Sequence, residues 1–99
     1  MSDISLDHFF ATLSSPRRVK VLQMLDRNGP TNVSEIAANL EIEQSAISHC
    51  LNKLLACHFV DVKQDGKERI YSLNTTTIKP LLRQIENHVK NYCVESCDH

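Results

Sequence analysis

Residues 34–73 read SEIAANLEIEQSAISHCLNKLLACHFVDVKQDGKERIYSL, and two periods succeed one another within them. Ile36, Ala37 and Leu40, then Ile47, Leu51, Leu54 and Leu55, recur at the spacing of a helix that buries one face. The two helical runs are joined by a tight connection at Glu41-Ile42-Glu43. From Val60 the period changes to two: Val60-Asp61-Val62 and Ile70-Tyr71-Ser72-Leu73 alternate like half-buried strands, and Asp65-Gly66 between them is a hairpin signal. Helix, turn, helix and hairpin in this order predict a winged helix-turn-helix, a mainly helical α+β fold.

The flanks extend the same pattern. Leu6, Phe9, Phe10 and Leu13 lie on one face of a first helix, which Ser14-Ser15-Pro16 interrupts. Ser15 is placed as N-cap and Pro16 as the first residue of a second helix, with Val19, Leu22 and Leu25 inward and its end near Asn28-Gly29-Pro30. Thr31 or Asn32 caps the third helix, with Glu35 spaced for a capping box on Asn32. The fourth runs from about Gln44 to Cys57. A fifth begins near Thr76, with Pro80 in its first turn and a stripe of Ile78, Leu81, Leu82, Ile85, Val89 and Tyr92. The expectation is one domain over 1–99, with five helices and a two-stranded hairpin.

With 99 residues, 23% charged and 41% hydrophobic, the composition is that of an ordinary soluble domain. No apolar run approaches the ~20 residues that span a bilayer, and MSDISLDHFF lacks a signal pattern. A cytoplasmic location without membrane association is therefore expected. There the four cysteines would be thiols, metal ligands or redox groups rather than a disulfide framework. The net charge of −1 does not suit a protein that coats nucleic acid, since phosphate neutralisation supplies sequence-independent affinity. Positive charge is instead local: Arg17, Arg18 and Lys20 form one cluster, and Lys63, Lys67 and Arg69 flank the hairpin turn, while Asp3, Asp7, Glu95 and Asp98 lie towards the termini.

The fourth helix carries the chemistry. At ~100° per residue its apolar side leaves Gln44, Ser45, Ser48, His49 and Asn52 together on the other. These side chains are short, uncharged and able to donate and accept hydrogen bonds, which reading base edges in the major groove requires. Lys67 and Arg69 at the hairpin are placed to meet phosphate or the minor groove. The expected partner is a double-stranded DNA operator. Glu43, at the N-cap, is unfavourable near phosphate unless it meets a cytosine amino group.

Leu13-Ser14-Ser15-Pro16-Arg17-Arg18, Gln44-Ser45-Ala46-Ile47-Ser48-His49 and Lys67-Glu68-Arg69-Ile70-Tyr71-Ser72-Leu73 resemble, in order and spacing, the opening motif, recognition helix and wing strand of the ArsR/SmtB family of repressors. The resemblance implies a homodimer paired through the first and last helices, which represses an operon until a metal ion, metalloid or thiol oxidant releases it. The family's inducer sites carry over less well. Its Cys-x-Cys pair corresponds to Asn32 and Ser34, and its last-helix zinc ligands to Thr75, Thr77, His88 and Asn91, of which only His88 can ligate. The cysteine that its dithiol sensors place in the second helix corresponds to Gln23, leaving Cys93 without that partner.

The tail suggests its own sensor. Cys93 and Cys97 are four residues apart and share a face if the helix persists. With His99, His88 or a group from a partner chain they could hold a soft ion such as Zn, Cd, Cu or As. Alternatively they oxidise without any cofactor, or are simple tail thiols. Cys50 and Cys57 read as small hydrophobes on the buried side of the fourth helix, with a role for Cys57 as a third thiol left open. His8 and His58 read as residues at the edge of packing.

Together these observations predict a sequence-specific transcriptional regulator, a repressor released by metal, metalloid or thiol oxidation. The alternative is a winged-helix protein-interaction module without an inducer. An enzyme is not expected: the chain has only two glycines, no phosphate-cradling loop, no paired carboxylates and no nucleophile-base order with a plausible pocket.

Overall fold

In the computed structural model the backbone is described for residues 3–93 and the side chains for residues 6–92. Five α-helices and a three-stranded antiparallel sheet occupy this span: α1 (Asp3–Leu13), α2 (Pro16–Asn28), β1 (Thr31–Asn32), α3 (Val33–Leu40), α4 (Gln44–Ala56), β2 (Val60–Asp65), β3 (Glu68–Leu73) and α5 (Ile78–His88). A π-helical turn, Val89–Cys93, continues from α5.

Local chemistry sets most boundaries. Ser15 caps α2 by accepting the Arg18 N–H, and Pro16 fills the first turn, where its missing N–H costs nothing. Gly29, at φ +82°, closes the same helix, with its N–H donating to Leu25 O. Asn32 caps α3 by accepting the Glu35 N–H at 2.8 Å. Glu41 turns the chain in the left-handed region, at φ +57°, and Ile42 N–H returns to Ala37 O at 3.0 Å. That reversal swings α4 across α3. His58, at φ +63°, ends α4 similarly, with Phe59 N–H donating to Leu54 O at 2.9 Å.

The sheet corrects the expected two-stranded wing. Its order is β1-β3-β2, because Thr31 and Asn32 pair with Tyr71 and Ile70. Two residues carry no readable period, so only the neighbouring strand defines β1. The hairpin pairs Asp65 with Glu68, so the loop is Gly66-Lys67 rather than Asp65-Gly66. Gly66 has φ +66° at the first loop position, where a type II′ turn takes glycine. Lys67 therefore sits at the tip.

Between the helices and the inner face of the sheet lies one core, which includes Leu22, Leu25, Ile36, Ile47, Leu51, Leu54, Phe59 and Val60, each no more than 2% exposed. Phe9 and Phe10, which share the apolar face of the first helix in the sequence, are separated by the packing, and Phe9 is the one that turns inward. It stacks on Phe59 with ring centroids 5.0 Å apart, leaving Leu6 and Phe10 as the outward residues of α1. α5 begins two residues later than expected. Asn74 Oδ1 accepts the Thr76 and Thr77 N–H groups, forming the turn that precedes the helix. Ile78 and Leu82 reach the core, whereas Ile85, Val89 and Tyr92 are exposed.

Asp26 of α2 anchors α5 through Lys79 at 3.0 Å and Arg83 at 3.3 Å. Burial pushes its carboxyl up, but hydrogen bonds and charge from Lys79 and Arg83 outweigh that and hold it below the usual carboxylate range. A depressed folded-state pKa stabilises above the unfolded value of ~3.9 and is lost as pH falls through the folded value. Asp26→Asn should therefore cost about 1–2 kcal/mol at neutral pH. In urea titrations the deficit should shrink below pH ~4; a deficit unchanged with pH would contradict the ion pair's role.

Candidate nucleic-acid interface

α4 lies on the core through Ile47, Cys50, Leu51 and Leu54, all buried. That seating turns Gln44, Ser45, His49 and Asn52 to solvent, with Ser48 half-buried beside them. The five polar residues singled out in the sequence thus form one surface. Gln44 is partly committed: its Nε2 donates to Ser34 Oγ at 2.8 Å, tying the start of α4 to α3 and leaving Oε1 to accept. The face is less neutral at one edge than its sequence suggested, since Lys53 is exposed next to His49 and Asn52 in one groove. Glu43 makes no cap bond to the helix, and its carboxylate accepts from Ser45 Oγ at 3.4 Å.

The hairpin stands beside the start of α3. Asn32 Nδ2 donates to Glu68 Oε1 at 3.3 Å, fixing the base of β3 to the α3 N-cap. Arg69 lies over the Tyr71 ring at 5.8 Å, so its guanidinium is braced by an aromatic face. Lys67 and Lys63 are exposed. Because neighbouring residues of a strand point to opposite faces, Lys63, paired with Ile70, faces away from Arg69.

A second basic site borders α4. Arg17, Arg18, Lys20 and His49 line a groove of about 620 Å³ together with Cys50. Arg18 is used internally, its Nη1 donating to Thr12 O at 2.9 Å, whereas Arg17 and Lys20 are exposed. Burial pushes the Cys50 thiol up, against a smaller opposite effect of Arg17 and Arg18, which disfavours its thiolate, and its side chain belongs to the core.

The proposed sensor residues fare differently. His88 is exposed and packs on Tyr92, with ring centroids 5.0 Å apart. The α-helix ends at His88, and the backbone reaches Cys93 through the π turn; the Cys93 side chain, Cys97 and His99 lie outside the described residues. Among the described residues no three His, Cys, Asp or Glu side chains could together hold a metal ion. No described helix is long and apolar enough to cross a membrane.

Sequence reasoning missed one grouping. Cys57 is half-buried rather than fully inside, and His8 Nε2 lies 3.1 Å from its sulfur. Thr12 Oγ1 is 3.6 Å from the same atom. Since His8 and Cys57 lie 49 positions apart, no local pattern could have joined them.

Comparison with known proteins places these features in a wider set. A family model described as bacterial regulatory protein, arsR family, matches residues 15–62. The HTH-type transcriptional regulator NmtR of Mycobacterium tuberculosis is 37% identical over 76 residues, covering 77% of this chain and 62% of the relative. A transcriptional repressor SmtB homolog of Synechocystis is 29% identical over 82 residues, covering 83% and 61%. The chain thus spans about three fifths of the length of these curated relatives. A homodimeric winged helix-turn-helix DNA-binding domain from Mycobacterium bovis superposes with a TM-score of 0.84, covering 94% of this chain and 91% of that one; at 18% identity this shows the shared fold.

Proposed function

Because the chain belongs to the ArsR/SmtB family of regulatory proteins, we propose that it is a DNA-binding transcriptional repressor acting as a homodimer on a two-fold symmetric operator. The observation that carries this reading is the α4 surface: Gln44, Ser45, Ser48, His49 and Asn52 gather on the outer side of a helix seated rigidly on the core. Short side chains that both donate and accept hydrogen bonds match base edges, and Lys53 at one edge of the face adds positive charge beside them. Lys67 and Arg69 supply phosphate contacts, and Arg17 and Lys20, in the groove that borders α4, add a second set. The whole 1–99 chain acts as one domain, with α1 and α5 as the dimer interface. Half-sites then lie about one helical turn apart, ~34–36 Å.

Release is proposed to follow binding of a metal ion or metalloid, or oxidation, at Cys93 and Cys97, with His88 and His99 as further ligands. The differential affinity needed is a few kcal/mol between two dimer geometries.

One set of binding titrations on promoter DNA tests both parts. Gln44→Ala or His49→Ala should cost roughly 1–3 kcal/mol and relax preference at one operator position. Lys67→Ala should weaken all DNA alike and flatten the salt dependence by about one unit. A changed sequence preference on replacing Lys67 would reverse the assigned roles. In the same titrations Cd(II), arsenite or an oxidant should release the DNA, and the Cys93→Ser/Cys97→Ser variant should stay bound. Equal release from that variant would remove the tail from the mechanism.

A further inference from the structure

Between α1 and α4 runs a groove of about 450 Å³, lined by His8, Ala11, Thr12 and Arg18 on one side and by His49, Asn52, Lys53, Ala56 and Cys57 on the other. That volume suits a small molecule. Every ionisable side chain in the wall, apart from the thiol, can carry positive charge, and no carboxylate lines it. Its one thiol is that of Cys57, half-buried, with Sγ 3.1 Å from His8 Nε2.

We propose that Cys57 is a modification site for small anionic electrophiles of the α,β-unsaturated carbonyl class, with His8 as the base. With the ring proton on Nδ1, His8 Nε2 accepts the S–H proton while sulfur bonds to the β-carbon of the electrophile. The C=C electron pair moves to the α-carbon, which then takes the proton back from the imidazolium. One C–S and one C–H bond form, the S–H bond and the C=C π bond are lost, and nothing is oxidised or expelled. His49 and Lys53, both exposed in the wall of the groove, are the groups that would receive the anionic group of the reactant, with Arg18, tied to Thr12 O, adding positive charge behind them.

Cys57 terminates α4, its N–H donating to Lys53 O, so no helix N-terminus faces its sulfur, and His8 Nε2, 3.1 Å away, is the base placed to take the proton as the C–S bond forms. A metal ion is a poorer occupant, since His8 and Cys57 have no third ligand of the His, Cys, Asp or Glu type among the described residues. The site is also open to reagents in the proposed dimer. At ~100° per residue, His8, Ala11 and Thr12 lie on the side of α1 opposite Leu6 and Phe10.

The groove shares His49 and Asn52 with the surface proposed to read bases, so an adduct on Cys57 obstructs the DNA that those residues would meet. This consequence rests on the proposed function, whereas the modification itself does not. Two measurements on the full chain separate them. In the first, without DNA, the reduced protein is treated with maleimidoacetic acid or with the neutral N-ethylmaleimide, and adduct formation at each cysteine is followed by peptide mass spectrometry. Cys57 should show the largest preference for the anionic reagent. His8→Asn should slow its reaction roughly tenfold or more, leaving the rates at the other thiols unchanged. His8 is exposed, and an unaltered circular dichroism melt of the variant excludes misfolding.

Failure of Cys57 to react, or an equal rate in the His8→Asn protein, overturns the site. In the second measurement, the Cys93→Ser/Cys97→Ser variant retains Cys57 and the buried Cys50, peptide mass spectrometry selects conditions in which only Cys57 carries the adduct, and DNA affinity is compared before and after modification. At least a tenfold loss is expected, and an unchanged affinity overturns the coupling to DNA. Were the unmodified protein to bind no DNA while Cys57 still reacted in a His8-dependent way, the repressor reading would fall and the modification site would stand.

Discussion

Phe10→Asp combined with Val89→Asp should convert the proposed dimer into a folded monomer. Phe10 is 60% exposed on α1 and Val89 47% exposed just beyond α5, and Leu6, Ile85 and Tyr92 on the same two segments are also exposed. A chain of this size that leaves such a set of large apolar side chains uncovered gains by placing them against a second copy. Across a two-fold axis each substitution acts twice, so four apolar contacts are lost and four carboxylates are brought into the interface. At ~1.5 kcal/mol or more per side chain, the dimer should weaken by roughly 6 kcal/mol, about ten-thousandfold. Operator affinity should fall with it, since each subunit would hold its half-site alone. Sedimentation equilibrium reports the assembly and circular dichroism the fold; a variant still dimeric at micromolar concentration would mean that another surface pairs the subunits.

Phe59→Ala should produce the largest loss of stability. Phe59 is 1% exposed, follows the left-handed His58 and precedes β2, so one side chain joins α1, the end of α4 and the sheet. Its ring stacks on Phe9, and its backbone N–H and C=O bind Leu54 and Asn74. Truncation removes a buried ring and leaves a cavity, at a cost of about 3–5 kcal/mol. For a small domain with ~5–15 kcal/mol in total, that is a large share. Urea denaturation should show the midpoint falling accordingly, and a loss below ~1 kcal/mol would mean that the site collapses without penalty. By comparison, Phe10→Ala removes a ring that the single chain leaves exposed.

The periodicity of residues 34–73 was enough to establish the helix-turn-helix and its hairpin, because amphipathic spacing is written residue by residue. Ser15, Pro16, Gly29 and Asn32 likewise announced helix ends, since caps act over three or four positions. The polar face of α4 was legible for the same reason: once Ile47, Leu51 and Leu54 are inward, geometry leaves Gln44, Ser45, His49 and Asn52 outward. The choice of Phe9 over Phe10 as the buried ring was not legible, because both lie on the apolar arc and only Phe59 decides between them. β1 exists only because Tyr71 and Ile70 lie beside Thr31 and Asn32. Most plainly, His8 and Cys57 read separately as an edge residue and a small hydrophobe, yet packing α1 across the end of α4 puts imidazole and sulfur 3.1 Å apart. Local periods determine which face of an element is buried, whereas a site assembled from residues 49 positions apart depends on how those faces meet, and only the packed core decides that.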